Sequence, residues 1–322
     1  MKRHRESGAA LLTVLLIVAA LSAISVAMLD DMRRGIRLDA NISSVTQAQW
    51  YAIGADAFAR SVADDLQKGL YGRSALAGEA RTATFPLDGG RMDIRVRDAS
   101  TCINLNSVVV GAGEVYEPNA GGAAQLHALM VAADISSAQA ADLTDALSAW
   151  LDTGGSSGVD ADDSPYLVQS PPYMTAGQPM TEVSELRAIR GFTPEVYDKL
   201  HPFVCALPVM GRSVVNLNAL AVEQAPVLVA LTGGKLTERD AVDLIAARPA
   251  GGWTSLGEFW GQPVLAALSI PTEAFDSGVL DTRFLNLDVQ VNYLDAEVTM
   301  SELLVFKNTG FAAASRRWGD AP

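Results

Sequence analysis

The sequence predicts an α+β protein in which a long N-terminal helix leads into an antiparallel sheet, and a large all-α segment interrupts that sheet. Three observations predict this fold. Residues 9–29 form an uncharged apolar run after a short basic prefix. Segments that alternate between polar and apolar residues stand before and after the middle of the chain, as in a sheet with one solvated face. Between them, residues 111–278 show helical patterns instead.

The apolar run has the length of a membrane span. As a helix, residues 9–29 would cover about 31 Å, which matches the hydrocarbon core of a bilayer. Two interpretations are open: a signal peptide cleaved after Ser25-Val26-Ala27, or a retained anchor with any cleavage before the run. The run exceeds the roughly 7–15 apolar residues of a signal peptide, which favours the anchor.

The helical pattern continues beyond the span, over residues 30–72. An apolar stripe at helical spacing predicts that this part packs on an aqueous domain. The stripe consists of Ile42, Val45, Ala52, Ala55, Phe58, Val62 and Leu66. It fades at Gly69 and Gly72, which predict the helix end.

Two separate parts of the chain are predicted to build the sheet, residues 80–110 and 279–322. In the first, Met92, Ile94 and Val96 alternate with charged residues after the turn Asp88-Gly89-Gly90. In the second, residues 285–293 alternate in the same way, and further strands are expected at 297–306 and 313–318.

Helices are predicted throughout the middle segment, between Gly and Pro breaks. Their expected ranges are 124–133, 137–151, 182–190, 194–200, 222–231, 238–247 and 256–268. Ser136 and Thr237 are the expected N-caps of two of them. A weak internal similarity, Cys102-Ile103-Asn104-Leu105-Asn106 to Val214-Val215-Asn216-Leu217-Asn218, predicts two strand-to-helix corners.

The net charge of the 322-residue chain is −13. An acidic surface repels phosphate, which argues against a nucleic-acid-binding protein. The hairpin-like segment from Ser184 to Pro194 resembles a helix-hairpin-helix module, but without a basic stripe it is expected to be a packing corner. His127 and His201 have no ligand partners in register and are expected to be packing or surface residues.

The order of several short motifs resembles a known family. A basic leader ending in Gly8 and followed directly by an apolar helix resembles the type IV prepilin-like proteins. Over nearly the whole chain, the layout resembles the minor pseudopilin K family of type II secretion systems. The matching stretches are Trp150-Leu151-Asp152, Ala161-Asp162-Asp163-Ser164-Pro165-Tyr166, Ser184-Glu185-Leu186, Asn216-Leu217-Asn218 and Ser315-Arg316-Arg317-Trp318-Gly319. The resemblance implies a pseudopilin-type sheet with a helical domain inserted in it.

The resemblance also implies how the N-terminus is processed. Residues 1–8 would be a leader that a prepilin peptidase removes between Gly8 and Ala9, and the new terminus would be methylated. Most prepilin-like proteins have Glu at the fifth mature position, where this chain has Thr13. The resemblance implies that this carboxylate pairs with the terminal amine of the neighbouring subunit. A subunit without the carboxylate cannot form this pair with a subunit ahead of it, and its absence is a peculiarity of the K family.

An acidic, glycine-containing loop is the candidate metal site. Asp152, Asp160, Asp162 and Asp163 lie within twelve residues. Crowded carboxylates are either solvated or bridged by a cation, and oxygen ligands without His or Cys favour calcium. Because the family's pseudopilin domain is associated with calcium, the resemblance implies that these four aspartates are the ligands.

The two cysteines, Cys102 and Cys205, have different meanings in different compartments. In an exported protein they are expected to form a disulfide, and in the cytoplasm they would be buried thiols. The span favours export, and therefore the disulfide.

An enzyme is the alternative function. Gly154-Gly155-Ser156-Ser157-Gly158 fits the G-x-S-x-G pattern, with Asp160 and His201 following in hydrolase order. The pattern implies a periplasmic or membrane-anchored serine hydrolase only on a strand-to-helix elbow, and here it follows a predicted helix.

The favoured prediction is a non-enzymatic subunit of the inner membrane with a periplasmic body, at the tip of the pseudopilus. The implied partners are the minor pseudopilins I and J, the major pseudopilin, the inner-membrane assembly platform, the prepilin peptidase and secreted cargo.

Overall fold

A computed structural model describes residues 4–67, 76–78, 80–154, 163–307 and 310–319, and within these ranges it describes the side chains of all but residues 4–9, 66 and 67. It confirms the α+β fold class. The first element is α1 (His4–Gln67), a single helix of 64 residues, about 96 Å long at 1.5 Å per residue. From residue 10 to residue 43 its side chains are exposed, and packing against the rest of the chain begins at Ser44.

One five-stranded antiparallel sheet lies against the C-terminal part of α1, in the order β1-β2-β9-β10-β11. Strand β2 pairs with β9 from Gly90↔Tyr293 to Asp98↔Leu285, so that the two distant parts of the chain form one sheet. Its strands are β1 (Arg81–Leu87), β2 (Gly90–Asp98), β9 (Phe284–Tyr293), β10 (Ala296–Lys307) and β11 (Gly310–Trp318). The predicted alternation is therefore confirmed on both sides of the middle segment.

Alanines bring α1 close to the sheet. Five of them are fully buried at helical spacing, namely Ala48, Ala52, Ala55, Ala59 and Ala63. They pack on the apolar face of the sheet, which includes Ile94, Leu287 and Val289. The predicted stripe was partly wrong, because Ile42 is exposed. Ala48 is covered by the apolar face of the sheet. Ile42 lies in the part of α1 that precedes its contact with the sheet.

The chain between β2 and β9 forms a helical body with its own core, which runs from Ile103 to Leu280. Its helices are α2 (Ala120–Ala132), α3 (Ser137–Leu151), α4 (Ser164–Leu167), α5 (Pro194–Leu200), α6 (Ala225–Leu231), α7 (Glu238–Ala246), α8 (Leu256–Trp260), α9 (Pro263–Ala266) and α10 (Thr272–Ser277). Its short strands are β3 (Ile103–Asn104), β4 (Val109–Ala112), β5 (Val115–Pro118), β6 (Val204–Cys205), β7 (Val215–Asn216) and β8 (Gly278–Val279). Short 3-10 helices cover Leu105–Val108, Val183–Ala188, His201–Phe203 and Val222–Gln224.

Most predicted helices are present, with two revisions. The expected helix at 182–190 is the 3-10 helix Val183–Ala188, and the one at 256–268 is divided into α8 and α9 because Pro263 starts a new helix. Both predicted N-caps are confirmed: the Ser136 and Thr237 side chains accept hydrogen bonds from the amides of Gln139 and Asp240. The hairpin β4–β5 and helix α10 were not predicted.

The two predicted corners are built alike. Each begins with a two-residue strand that pairs in parallel with a later one, β3 with β6 and β7 with β8. In each, the second asparagine is buried and binds three backbone groups through its side chain. Asn106 binds Met180 N, Met180 O and Leu207 O, and Asn218 binds Trp253 N, Trp253 O and Leu280 O.

Candidate functional site

The exposed part of α1 is the first candidate site. It is apolar enough and long enough to cross a membrane. The helix backbone includes Gly8 and Ala9, whose side-chain surroundings lie outside the described part of the chain. The Thr13 hydroxyl donates a hydrogen bond to the Ala10 carbonyl at 2.8 Å. The polar group at this position is therefore neutral and satisfied within its own helix.

Where α1 packs on the sheet, its opposite face stays open. Trp50 is 63% exposed, and Gly54 and Ala57 follow it on the same face, both exposed. A Cβ added at Gly54 would meet nothing within 4 Å. This outward face, Trp50-Gly54-Ala57, combines an aromatic side chain with small residues that let another helix approach closely.

The acidic loop is only partly described. Asp160, Asp162 and Ser156 lie outside the described residues, so neither the calcium ligand set nor the hydrolase pattern can be assembled from the structure. The Asp152 carboxylate accepts the Gly154 amide at 3.0 Å. Asp163 accepts both the amide and the hydroxyl of Thr175, at 2.8 and 2.9 Å. Within the described ranges no three acidic, His or Cys side chains converge as a metal site would require, and the calcium site stays a prediction.

The junction between the sheet and the helical body contains the disulfide. Cys102, just before β3, is bonded to Cys205 at the end of β6. Beside it, a cleft of about 390 Å³ lies between the outer face of the sheet and the part of the body that contains the 3-10 helix Val183–Ala188 and α5. One ion pair crosses this cleft, from Arg317 on β11 to Glu182 at 2.6 Å.

A buried carboxylate ties the second corner to the sheet. Asp98, the last residue of β2, accepts hydrogen bonds from the Ser100 amide and hydroxyl, from Asn216 and from Thr282. Burial raises the pKa of Asp98 above its usual value, and these hydrogen bonds act in the opposite direction. Sequence reasoning missed this residue, although Asp98 stands in phase with the apolar residues Ile94 and Val96 and so breaks the alternation on β2.

His127 and His201 each make a separate contact. His127 lies 3.2 Å from the Ser137 carbonyl, and the ring of exposed His201 is 5.3 Å from that of Tyr197. The hairpin-like segment Ser184–Pro194 joins the 3-10 helix Val183–Ala188 to α5, whose N-cap is Thr193. It serves as a packing corner, with Leu186, Ile189 and Phe192 in the core.

Comparison with known proteins identifies the family. The family model described as type II secretion system (T2SS), protein K, first domain, matches residues 101–209, and that described as protein K matches residues 215–283. Type II secretion system protein K of Aeromonas hydrophila is 36% identical over 92% of this chain and 88% of its own length. The chain belongs to the type II secretion system protein K family. The Pectobacterium carotovorum protein K is 31% identical over 98% of both chains.

A chain of a solved complex has the same fold. In the crystal structure of the GspK-GspI-GspJ complex from enterotoxigenic Escherichia coli, one chain superposes with a TM-score of 0.70 at 29% identity, covering 85% of this chain and 96% of that one. The two family models begin at the two Asn-x-Asn corners, so each corner opens one matched segment. Protein K is a structural component of the secretion system, which supports a minor pseudopilin role for this chain.

Proposed function

We propose that this chain is the minor pseudopilin that caps the pseudopilus and starts its assembly together with minor pseudopilins I and J. The observation that carries the proposal is α1, a single helix that is apolar over residues 9–29, exposed from residue 10 to residue 43, and in contact with the rest of the chain from Ser44. Such a helix anchors the body before assembly and packs beside other subunits' helices afterwards. It acts by assembly, without an enzymatic step.

Several features support a position in the inner membrane with the body in the periplasm. The apolar part of α1, residues 9–29, has the length needed to cross the hydrocarbon core of a bilayer. The disulfide Cys102–Cys205 belongs to an oxidising compartment such as the periplasm. We further propose removal of residues 1–8 by a prepilin peptidase, methylation of Ala9, and calcium binding at the loop that contains Asp152 and Asp163.

Thr13 supports the tip position. A carboxylate in a lipid or helix-packed environment is costly and needs a charged partner. The neutral Thr13 needs no such partner and cannot pair with a charged group of another subunit. We expect Thr13→Glu to increase incorporation of this subunit below the tip, whereas the uncharged Thr13→Gln leaves it at the tip. The measurement is the number of copies per pseudopilus, by quantitative immunoblotting of sheared fibres. Equal copy numbers for the two variants would contradict the electrostatic part of the proposal.

The outward face of α1 is the proposed contact with pseudopilins I and J. Gly54→Trp adds bulk to this exposed face, and a Cβ at this position meets nothing within 4 Å, so we expect the subunit to fold normally. We expect Gly54→Trp to lose at least ten-fold in co-purification with I and J from detergent extracts. Gly54→Ala, which adds one methyl group, is the matched control and should retain them. Retention by Gly54→Trp would place the contact elsewhere.

A further inference from the structure

A short stretch of the helical body exposes an unusual number of apolar side chains. In the loop that follows Tyr166, Leu167 is 55% exposed, Val168 81%, Tyr173 38% and Met174 65%. Pro171 and Pro172 lie between them and are exposed as well. Residues 167–174 are called the apolar tip below. Outside α1, it is the longest run of consecutive exposed residues in the described part of the chain.

An aromatic cluster in the helical body packs against the apolar tip. Tyr166 is buried, and its ring lies 5.2 Å from that of Trp150 and 5.4 Å from that of Tyr173. Tyr173 also donates its hydroxyl to the Ala188 carbonyl at 2.9 Å. Beyond the tip, both donors of Thr175 bind the Asp163 carboxylate. The loop is thus fixed at both ends by buried rings and charge-assisted hydrogen bonds.

This combination indicates a binding surface. Apolar side chains in water are unfavourable by about 25 cal/mol per Å² of exposed area, and a large exposed apolar patch marks an interaction site. A loop already fixed in one conformation loses little entropy when a partner covers it. The side chains of the tip are exposed in the folded chain that includes α1, so the packing of α1 leaves them free.

The charges around the tip select the partner. Two described aspartates border the tip: Asp163 binds Thr175, the residue directly after it, and the Asp152 backbone lies beside Gly177. Residues 164–178 contain no charged residue. We propose that the apolar tip binds an apolar segment of another polypeptide that is flanked by Lys or Arg. The aspartates attract such flanks, whereas they repel a bilayer of anionic lipids. The surface adds a contact to the proposed assembly through α1 and does not depend on it.

The first test locates the partner by photo-crosslinking in cells that express the whole secretion system. A photoreactive amino acid replaces Met174 in the full-length chain, and the control position is Val131 on α2, which is 44% exposed. The expected result is one discrete polypeptide adduct at position 174 that is absent at 131, with the adduct mapping to an apolar peptide flanked by Lys or Arg. A lipid adduct, or the same background products at both positions, would overturn the proposal.

Charge variants at Gln169 then test the selectivity, because this side chain is exposed and adds no apolar area. With the photoreactive residue at 174, Gln169→Lys should lower the yield of the adduct at least five-fold, and Gln169→Glu should preserve or raise it. The reverse order would indicate an anionic surface and refute a basic partner. Val168→Asn should lower the yield at least five-fold while co-purification with I and J stays unchanged, which separates this contact from the α1 contact. An unchanged yield would also refute the proposal.

Discussion

The two segments of the helical body, residues 101–209 and 215–283, begin with the same corner and are secured in different ways. In both, a buried Asn accepts the amide two residues on, Asn104 from Asn106 and Asn216 from Asn218. The first segment then closes on itself through the disulfide Cys102–Cys205. The second is tied to the sheet, because the Asn216 amide donates to Asp98 at 2.7 Å.

The register of the short strands shows what replaces the disulfide in the second segment. Ile103 pairs with Val204 and Val215 with Gly278, so Cys102 corresponds to Val214 and Cys205 to Val279. An apolar pair thus stands where the first segment has a covalent bond. The corner is therefore the common folding unit, and its attachment to the neighbouring structure differs between the two segments.

The largest expected effect comes from removing the second asparagine of either corner. Asn106 and Asn218 are fully buried, and each side chain satisfies one backbone amide and two carbonyls. Asn106→Leu and Asn218→Leu leave those three groups unsatisfied, at about 3–5 kcal/mol of unfolding free energy in each case. The measurement is urea unfolding of the full chain in detergent, followed by tryptophan fluorescence.

Asn41→Leu is the control for these two variants, since Asn41 is exposed on α1, and a change within about 0.5 kcal/mol is expected there. If one corner tolerated the substitution and the other did not, the corners would not be equivalent folding units. If both tolerated it, the hydrogen bonds would contribute little to stability.

A smaller effect is expected from giving the first segment the residues of the second. Cys102→Val combined with Cys205→Val preserves an apolar pair at the junction but opens a loop of 103 residues. We expect a loss of about 2–4 kcal/mol, measured as a shift of the urea midpoint. A reducing agent should destabilise the wild type by a similar amount and leave the double variant unchanged. A double variant as stable as the wild type would mean that packing alone holds this junction.

The fold could be predicted largely from the sequence, because its signals are local. Alternating polarity over 285–293 predicted β9, and helical spacing over 137–151 predicted α3 with its cap at Ser136. The parallel pairs β3–β6 and β7–β8 contain two residues per strand, too few for any period. The alanine stripe of α1 was underestimated because alanine has a weak hydrophobic signal, although its small size decides how closely a helix approaches a sheet.

The candidate site could be predicted where it depends on residue order. The apolar span and the chance of a Cys102–Cys205 bond follow from the sequence alone. The role of Asp98 does not, since its partners Asn216 and Thr282 are distant in sequence and meet it only when the body folds back onto the sheet. The exposure of the apolar tip was also missed, because apolar residues such as Leu167 and Val168, at the end of the short helix α4, are ordinarily assigned to the core.

The smallest expected effect concerns the tie between Asp98 and the second segment. Because the pKa of Asp98 is raised in the folded chain, the folded state holds this proton more tightly than the unfolded state. Its contribution is therefore fully present below the unfolded pKa and is lost as the pH rises through the folded pKa. The wild type should lose stability through this group on going from acidic pH towards neutrality, whereas Asp98→Asn lacks this component. The measurement is the difference in urea midpoint between wild type and Asp98→Asn across that range, with Asp295→Asn, an exposed aspartate in the β9–β10 turn, as the control. A difference that does not change with pH would show that the four hydrogen bonds fully compensate for burial, and the tie would then be as insensitive to pH as the disulfide of the first segment.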